Sequence, residues 1–460
     1  MRHPRIVAVA LLLALPLSAL IAGYAGVRQA EAQWRQGNYP AAFEAYARAA
    51  RILFWRADLW EQAGISASLA GDHHRALTHL EKHTPQTAEG WFRLAASHYQ
   101  LGDLDAAHSA TLRGTLAFDS LHLYDLQALI LHESEDWSAE RVSRENQARL
   151  GSQDAFVHYR LGLLLMLHSP EDALPALTRA STLNPEVAPA VETLRAALAL
   201  ASTQTEDTEK MIAIGRGLSL VQEWKLSLEA FSKAIEADEN NAEAWAWLGE
   251  ANQQTGRDGG VELERALSLN PSNPTVRALR GLYWERRENY RKALEEYSAA
   301  AKFDAADPAW QAGIARTHAG LGDLSAAIEA YQRAIELAPT DATYWRMLAV
   351  FCAENDVYVE EIGLPAAEQA ARLSPEDPST LDALGLSYFA SGRYASAELT
   401  FSRAIELAPD YFPAHIHLAL NYLAQGNHAA AFDTLTHVRD TDPTGIHGKT
   451  ALQLLERYFP

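Results

Sequence analysis

The heptapeptide RAIELAP occurs twice in this chain, at Arg333–Pro339 and again at Arg403–Pro409. The two copies begin 70 positions apart, since 403 − 333 = 70. A seven-residue identity over such a distance indicates a repeated structural unit rather than chance. The spacing between the copies must then be a sum of repeat lengths.

Residues 378–445 show the length of one repeat. Six positions recur 34 places later with a residue of the same kind, namely Leu384 and Leu418, Gly385 and Ala419, Tyr388 and Tyr422, Gly392 and Gly426, Ala397 and Ala431, and Pro409 and Pro443. Residues 208–445 number 238, which is seven times 34, with one repeat of 32 residues and one of 36. The distance of 70 is therefore 34 plus 36.

The residues at fixed positions of the repeat predict a pair of helices. The eighth position is always small, as Gly215, Gly249, Gly281, Ala315, Ala349, Gly385 and Ala419. Small residues are needed where two helices cross with their backbones close together. A glycine such as Gly322 can end the first helix in a left-handed conformation, and a proline such as Pro339 stops the second.

This pattern resembles the tetratricopeptide repeat, a helix-turn-helix unit of about 34 residues. The resemblance implies an all-α fold, an α-solenoid of about twelve such repeats wound into a right-handed superhelix. Seven repeats occupy residues 208–445, and five more degenerate ones lie in residues 30–201, which end in a joint helix at 187–201. We expect a linker at 202–207 and a capping helix at 446–460.

Residues 1–29 have the composition of a signal anchor or a signal peptide. Arg2 and Arg5 precede the uncharged stretch Ile6–Val27, whose 22 residues exceed the apolar region of a simple leader and suffice for a span. Small residues at Gly23 and Ala25 also permit cleavage. The expectation is a bacterial protein with one pass through the cytoplasmic membrane and its repeats outside the cytoplasm, or alternatively a secreted or periplasmic one.

Composition restricts the partners and the chemistry. A net charge of −20 argues against nucleic acid, because phosphate binding requires clustered Lys and Arg. Cys352 is the single cysteine, so the chain can form no intrachain disulfide and no zinc site built from cysteines. We therefore expect no cofactor and no nucleic-acid partner.

An enzyme is not expected. The chain lacks the G-x-S-x-G, P-loop and G-x-G-x-x-G motifs, and repeats take up nearly all residues from 30 to 445. His79 and His83 stand four apart and leave a metal-binding or enzyme-associated subunit as an alternative, although His83 directly precedes Thr84 and Pro85, where a helix ends. A self-associating structural array is a further alternative.

The resemblance also implies a binding surface. In the family, positions 2, 5, 9 and 12 of the first helices line a concave groove that binds peptides or partner helices. Nine residues at such positions form the predicted partner-binding groove, namely Arg316, Arg346, Val350, Asp382, Leu386, Phe389, Ile416, Leu420 and Leu423. The alternative is that a neighbouring repeat or the cap helix covers them. The favoured function is a scaffold for other proteins in an envelope-associated assembly, with membrane contact through the N-terminal helix if it is uncleaved.

Overall fold

The computed structural model describes the backbone of residues 4–460 and the side chains of residues 18–460. Over that range the chain consists of helices and turns and contains no strand, which confirms the predicted all-α solenoid. The chain divides into two compact lobes, an N-terminal lobe (Met1–Ala230) and a C-terminal lobe (Phe231–Pro460).

Consecutive antiparallel helix pairs build both lobes. The helices that begin in the N-terminal lobe are α1 (Pro4–Arg35), α2 (Tyr39–Ile52), α3 (Ala57–Leu69), α4 (His73–Leu80), α5 (Ala88–Gln100), α6 (Leu104–Ala117), α7 (Leu121–Glu133), α8 (Trp137–Arg149), α9 (Ala155–His168), α10 (Pro170–Leu183), α11 (Ala188–Ser202), α12 (Asp207–Leu220) and α13 (Trp224–Ala237), with a short 3₁₀ turn at Pro185–Val187.

The C-terminal lobe continues the series and ends in an unpaired helix. Its helices are α14 (Ala242–Gln254), α15 (Gly260–Leu269), α16 (Pro274–Glu285), α17 (Tyr290–Phe303), α18 (Pro308–Gly320), α19 (Leu324–Leu337), α20 (Ala342–Glu354), α21 (Leu364–Leu373), α22 (Pro378–Ala390), α23 (Tyr394–Leu407), α24 (Phe412–Ala424), α25 (His428–Thr441) and α26 (Ile446–Tyr458). A π-helical turn at Val359–Gly363 precedes α21.

Local sequence signals set the turn inside each pair. Gly322 follows α18 with φ of +79°, and Asp323 then accepts a hydrogen bond from the Ala326 N–H at 3.1 Å to cap α19. A residue without a Cβ adopts the left-handed conformation freely, and an Asp side chain satisfies an amide that the helix leaves unpaired. The Gly-Asp dipeptide therefore reverses the chain within three residues.

The small eighth residue permits a close crossing of the two helices. A Cβ built on Gly385 of α22 would lie 2.5 Å from Cε1 of Phe401 on α23. A Cβ on Gly162 of α9 would lie 2.5 Å from Cδ2 of Leu177 on α10. Because real Cβ atoms do not approach other carbons so closely, a larger residue at these positions would force the helices apart.

A side-chain hydrogen bond joins successive repeats at one recurring place. At position 4 of a first helix, a side-chain N–H donates to the carbonyl six residues earlier, in the turn that follows the preceding helix. The pairs are His158 to Ser152 at 2.9 Å, Trp245 to Glu239 at 2.8 Å, Arg277 to Pro271 at 2.8 Å, Trp345 to Pro339 at 2.9 Å and His415 to Pro409 at 2.8 Å. These carbonyls lie two or three residues beyond the helix ends, so each bond ties a first helix to the turn that leads into it.

The predicted linker at residues 202–207 is the turn of a helix pair. Val191 and Leu194 of α11 belong to the same buried cluster as Ile214 and Leu218 of α12. Since α11 packs on α12 across the turn, the break in the repeat pattern does not separate two compact bodies. The division into lobes lies further along, between Ala230 and Phe231 inside α13.

One position favours a stabilising substitution. Glu288 is exposed and has φ of +56° at the end of α16, where most repeats have glycine. A left-handed conformation costs an ordinary residue about 1–2 kcal/mol, whereas glycine adds an entropic cost of about 0.5–1 kcal/mol. We expect Glu288→Gly to stabilise the C-terminal lobe by up to about 1 kcal/mol in urea unfolding. Glu295→Gly inside α17 should instead destabilise it by about 1 kcal/mol, and the same sign for both substitutions would contradict the reasoning.

The predicted location in a membrane is wrong. Among the residues that the structure describes, no helix combines the length and the apolar character that crossing a membrane requires. The described part of α1 instead packs on α2, with Ala30 fully buried and a Cβ on Gly23 placed 2.8 Å from Leu53. The signal prediction also depended on Arg2, which lies outside the described residues, and on the side chains of Arg5 and of residues 6–17, which are likewise not described.

Candidate functional site

A cavity of about 310 Å³ in the C-terminal lobe lies along three consecutive first helices, α16, α18 and α20. Six residues of its wall are at positions 2, 5 and 9 of their repeats, namely Ala278, Leu282, Ala309, Ala312, Arg316 and Thr343. These are the positions from which the groove residues were predicted. We call the surface that they form the first-helix face.

Arg316 is held on the first-helix face by a carboxylate of the preceding repeat. Its Nε donates to Glu285 at 2.8 Å, and a terminal nitrogen donates to Glu285 at 3.1 Å and to the Tyr297 hydroxyl at 3.2 Å. Burial opposes the charge, yet the hydrogen bond and the charge of Glu285 raise the pKa of Arg316. The guanidinium is thus fixed in place, with its charge largely matched by Glu285.

Arg346 and Val350 lie one repeat further along, on α20. Both side chains are half-buried, and Arg346 forms no hydrogen bond or ion pair with any described residue. Its charge acts on the nearby hydroxyl of Tyr411. Burial and Asp382 raise the pKa of Tyr411 to about 12, and the charge of Arg346 opposes that rise. Arg346 therefore offers a guanidinium that a ligand carboxylate could engage.

Asp382 is buried and takes part in a polar contact between repeats. The Nδ1 of His417 on α24 lies 2.8 Å from its Oδ1. Burial opposes protonation of the ring, but the hydrogen bond to Asp382 and the negative charges of Asp382 and Glu354 raise the pKa of His417. The Asp382 carboxylate thus links α22 to α24 through its contact with His417.

This contact predicts a pH-dependent stability. An unfolded histidine has a pKa of about 6.5, and the folded value for His417 is higher. The stabilisation is therefore complete below about pH 6.5 and is lost as pH rises through the raised folded pKa. We expect the difference in unfolding free energy between the wild type and His417→Gln to shrink between pH 6 and pH 9, and an NMR titration of His417 to show the raised pKa directly. A difference in unfolding free energy that grows with pH would contradict the raised pKa of His417.

The apolar groove residues fall into two clusters. Leu386 and Phe389 are half-buried and pack against Phe401 and Leu418. Ile416 is 8% exposed and joins a cluster with Ala451 and Leu455 of the terminal helix α26, against which Leu420 also packs. The terminal helix therefore covers the last repeat, while Leu386, Phe389 and the half-buried Leu423 keep part of their surface accessible.

The sequence analysis did not select most of the cavity wall. Ala278, Leu282, Ala309 and Thr343 stand at the family's groove positions, the first three in repeats that precede the last three and Thr343 in the repeat of Arg346. Trp310 stands at position 3, which is not one of the family's groove positions. Its buried Nε1 has no hydrogen-bond partner among the described residues. Applying the same positional rule to the repeats that begin at 274, 308 and 342 would have found these four residues.

The histidines that suggested a metal make other contacts. His79 and His83 both stack on the indole of Trp60, with ring centroids 5.4 and 5.3 Å from it. Burial and the nearby charge of His83 lower the pKa of His79. In the part of the chain with described side chains, no group of three or more His, Cys, Asp or Glu residues is placed to hold a metal ion.

The described helices form a solenoid of helical hairpins with a cavity on its first-helix face. Sequence profiles described as tetratricopeptide repeat match residues 308–351 and 388–455. These matches confirm tetratricopeptide repeats in those two segments of the C-terminal lobe, and they support a protein–protein interaction scaffold, since such solenoids bind other proteins along their repeats. Solenoids of this kind are typically not enzymes.

Individual known proteins resemble shorter or longer parts of the chain. Anaphase-promoting complex subunit 3 of Schizosaccharomyces pombe is 34% identical over 92 residues, 20% of this chain and 14% of that protein. The small glutamine-rich tetratricopeptide repeat-containing protein 2 of Mycosarcoma maydis is 33% identical over 87 residues, 19% of this chain and 24% of that protein. The crystal structure of the yeast Tom70 is 15% identical, with a TM-score of 0.44 and 95% of both chains covered.

Proposed function

We propose that this chain is a scaffold that binds a segment of another protein on the first-helix face of its C-terminal lobe. The observation that carries the proposal is the cavity of about 310 Å³ along α16, α18 and α20, which has the size of a pocket for one or two side chains. Its wall is mainly apolar, and the fixed guanidinium of Arg316 contributes a polar edge.

The residues beyond the cavity indicate what kind of segment fits. Arg346 carries an unpaired positive charge, and Val350, Leu386 and Phe389 add half-buried apolar surface along the same series of helices. A partner segment with an apolar side chain for the cavity and a carboxylate within reach of Arg346 would satisfy both features. Membership of an envelope assembly stays a prediction.

Binding can be tested by selecting peptides from a displayed random library on the purified chain and measuring their affinity by calorimetry. Thr343→Trp fills the mouth of the cavity, and Arg346→Glu reverses the free charge. We expect each substitution to weaken binding at least 10-fold, equivalent to about 1.4 kcal/mol. Thr343 is exposed and Arg346 is unpaired, so neither substitution should disturb the fold.

Leu399→Asp serves as the control, because Leu399 is 74% exposed on the second helix α23. It should leave the affinity within about 2-fold of the wild type. Peptides that bind all three variants as they bind the wild type would show that the binding surface lies elsewhere.

A further inference from the structure

The repeat at residues 342–377 departs from the regular hairpin. After α20, Asp356 and Tyr358 have φ of +52° and +46°, and the N–H groups of Ile362 and Gly363 both donate to the Tyr358 carbonyl, at 2.9 and 3.0 Å. The π-helical turn that results lies where other repeats continue a regular second helix. Left-handed non-glycine residues and π turns cost energy and concentrate at functional sites.

A second cavity, of about 370 Å³, lies beside this turn. Its wall comes from the second helices α19 and α21, the π-helical turn and the edge of α20, and we call it the second-helix cavity. It shares no lining residue with the cavity on the first-helix face. Ile335, Leu348 and Ala366 form a buried apolar floor. The indole of Trp345 also lines the cavity, and its Nε1 is already used by the Pro339 carbonyl at 2.9 Å.

Two carboxylates stand at the edge of this apolar floor. Glu336 and Glu361 both line the cavity, both are exposed, and neither takes part in a hydrogen bond or ion pair among the described residues. The second copy of the heptapeptide behaves differently, since its Glu406 pairs with Arg403 at 2.9 Å. The same residues therefore pair within one copy and leave an unmatched negative charge in the other.

We propose that this second-helix cavity binds a lysine or arginine side chain presented by a basic segment of a partner protein. The aliphatic stem of such a side chain would lie on Ile335, Leu348 and Ala366, as long cationic side chains do on apolar surfaces. Its charged end would reach Glu336 and Glu361 in charge-assisted hydrogen bonds. The indole of Trp345 adds a ring that favours a cation at close range.

The test uses the full chain and two synthetic probes. One is a fluorescein-labelled helical peptide of Ala, Leu and Arg, and the other has every Arg replaced by Glu. Fluorescence anisotropy should show at least 10-fold tighter binding of the Arg peptide, with an affinity that falls as salt is raised. Equal affinity for the two peptides would overturn the proposal.

Matched variants separate the cavity from the general attraction of an acidic chain. Glu336→Gln/Glu361→Gln should weaken binding of the Arg peptide at least 10-fold, whereas Glu406→Gln/Glu456→Gln, with the same change in net charge, should change it less than 2-fold. If both double variants lost the same affinity for the Arg peptide, the peptide would be held by the general negative charge of the chain and not at this cavity. Gln332→Trp blocks the cavity from its exposed edge without removing a charge, and wild-type binding by that variant would also overturn the proposal.

Discussion

Replacing Glu140 by alanine is expected to destabilise the N-terminal lobe by about 3–5 kcal/mol. Glu140 is fully buried, and both of its oxygens accept hydrogen bonds from Arg160 at 2.9 Å. Arg144 lies 3.6 Å away and is also buried, with burial lowering its pKa against the raising effect of Glu140. Removing the carboxylate would therefore leave two buried guanidinium groups without their shared partner.

Urea unfolding followed by circular dichroism measures this effect. Glu145→Ala, which removes a partly exposed partner of Arg141 on the same helix, should cost less than about 1 kcal/mol. Because the penalty arises from unpaired buried charge, Glu140→Met/Arg160→Met should recover part of the loss. If the double variant is less stable than Glu140→Ala, the attraction within the ion pair accounts for the stability of the lobe, and the cost of an unpaired buried charge does not.

Phe401→Ala should destabilise the C-terminal lobe by a similar amount, about 3–5 kcal/mol. The ring is fully buried and fills the space over Gly385, where the two helices of the repeat cross closely. Glycine has no side chain that could move into the vacated volume, so most of the cavity would persist. A thermal or urea transition of the C-terminal lobe, compared with the wild type, measures the loss.

Leu399→Ala provides the matched control on the same helix. Leu399 is 74% exposed, and its truncation should change stability by less than about 0.5 kcal/mol. If both substitutions had similar effects, the orientation of α23 in the hairpin would be wrong. Retention of near-wild-type stability by Phe401→Ala alone would mean that neighbouring side chains collapse into the space above Gly385.

The repeated hairpin could be predicted because its determinants are local. Gly322 must turn left-handed, Asp323 must cap the next helix, and Gly385 must admit Phe401, and each requirement restricts the residue at a fixed position. Such requirements recur every 34 residues because each repeat contacts mainly its neighbours. The family and the all-α solenoid followed from them without knowledge of any contact between distant residues.

The candidate site could be predicted only in part. The positional rule identified Arg316 as a residue of the first-helix face, yet its ion pair with Glu285 depends on how two repeats are placed. Ile416 fits the rule equally well, but α26 covers it through Ala451 and Leu455. Exposure of a groove residue depends on which helix lies above it, and no pattern within a single repeat encodes that.

The N-terminal prediction failed for a related reason. An uncharged stretch of 22 residues was interpreted by its length and by the two arginines before it, whereas the described part of α1 is the first helix of a hairpin in which Gly23 and Ala30 pack against the next helix. Apolar composition measures how strongly a segment avoids water, but burial against protein and burial in lipid produce the same signal. Only the position of the neighbouring helix distinguishes them.

The amino-acid sequence by itself determined the repeat length, the helix ends and the close crossing inside each hairpin, because backbone conformation and side-chain volume act over a few residues. Tertiary structure decided which charges are paired and which remain available. Glu140 and Arg160 illustrate the difference, since they stand 20 residues apart on α8 and α9 and form their buried ion pair only because those two helices pack together. The partner of such a side chain depends on the helices packed around it, because residues distant in sequence become neighbours only when their helices pack together.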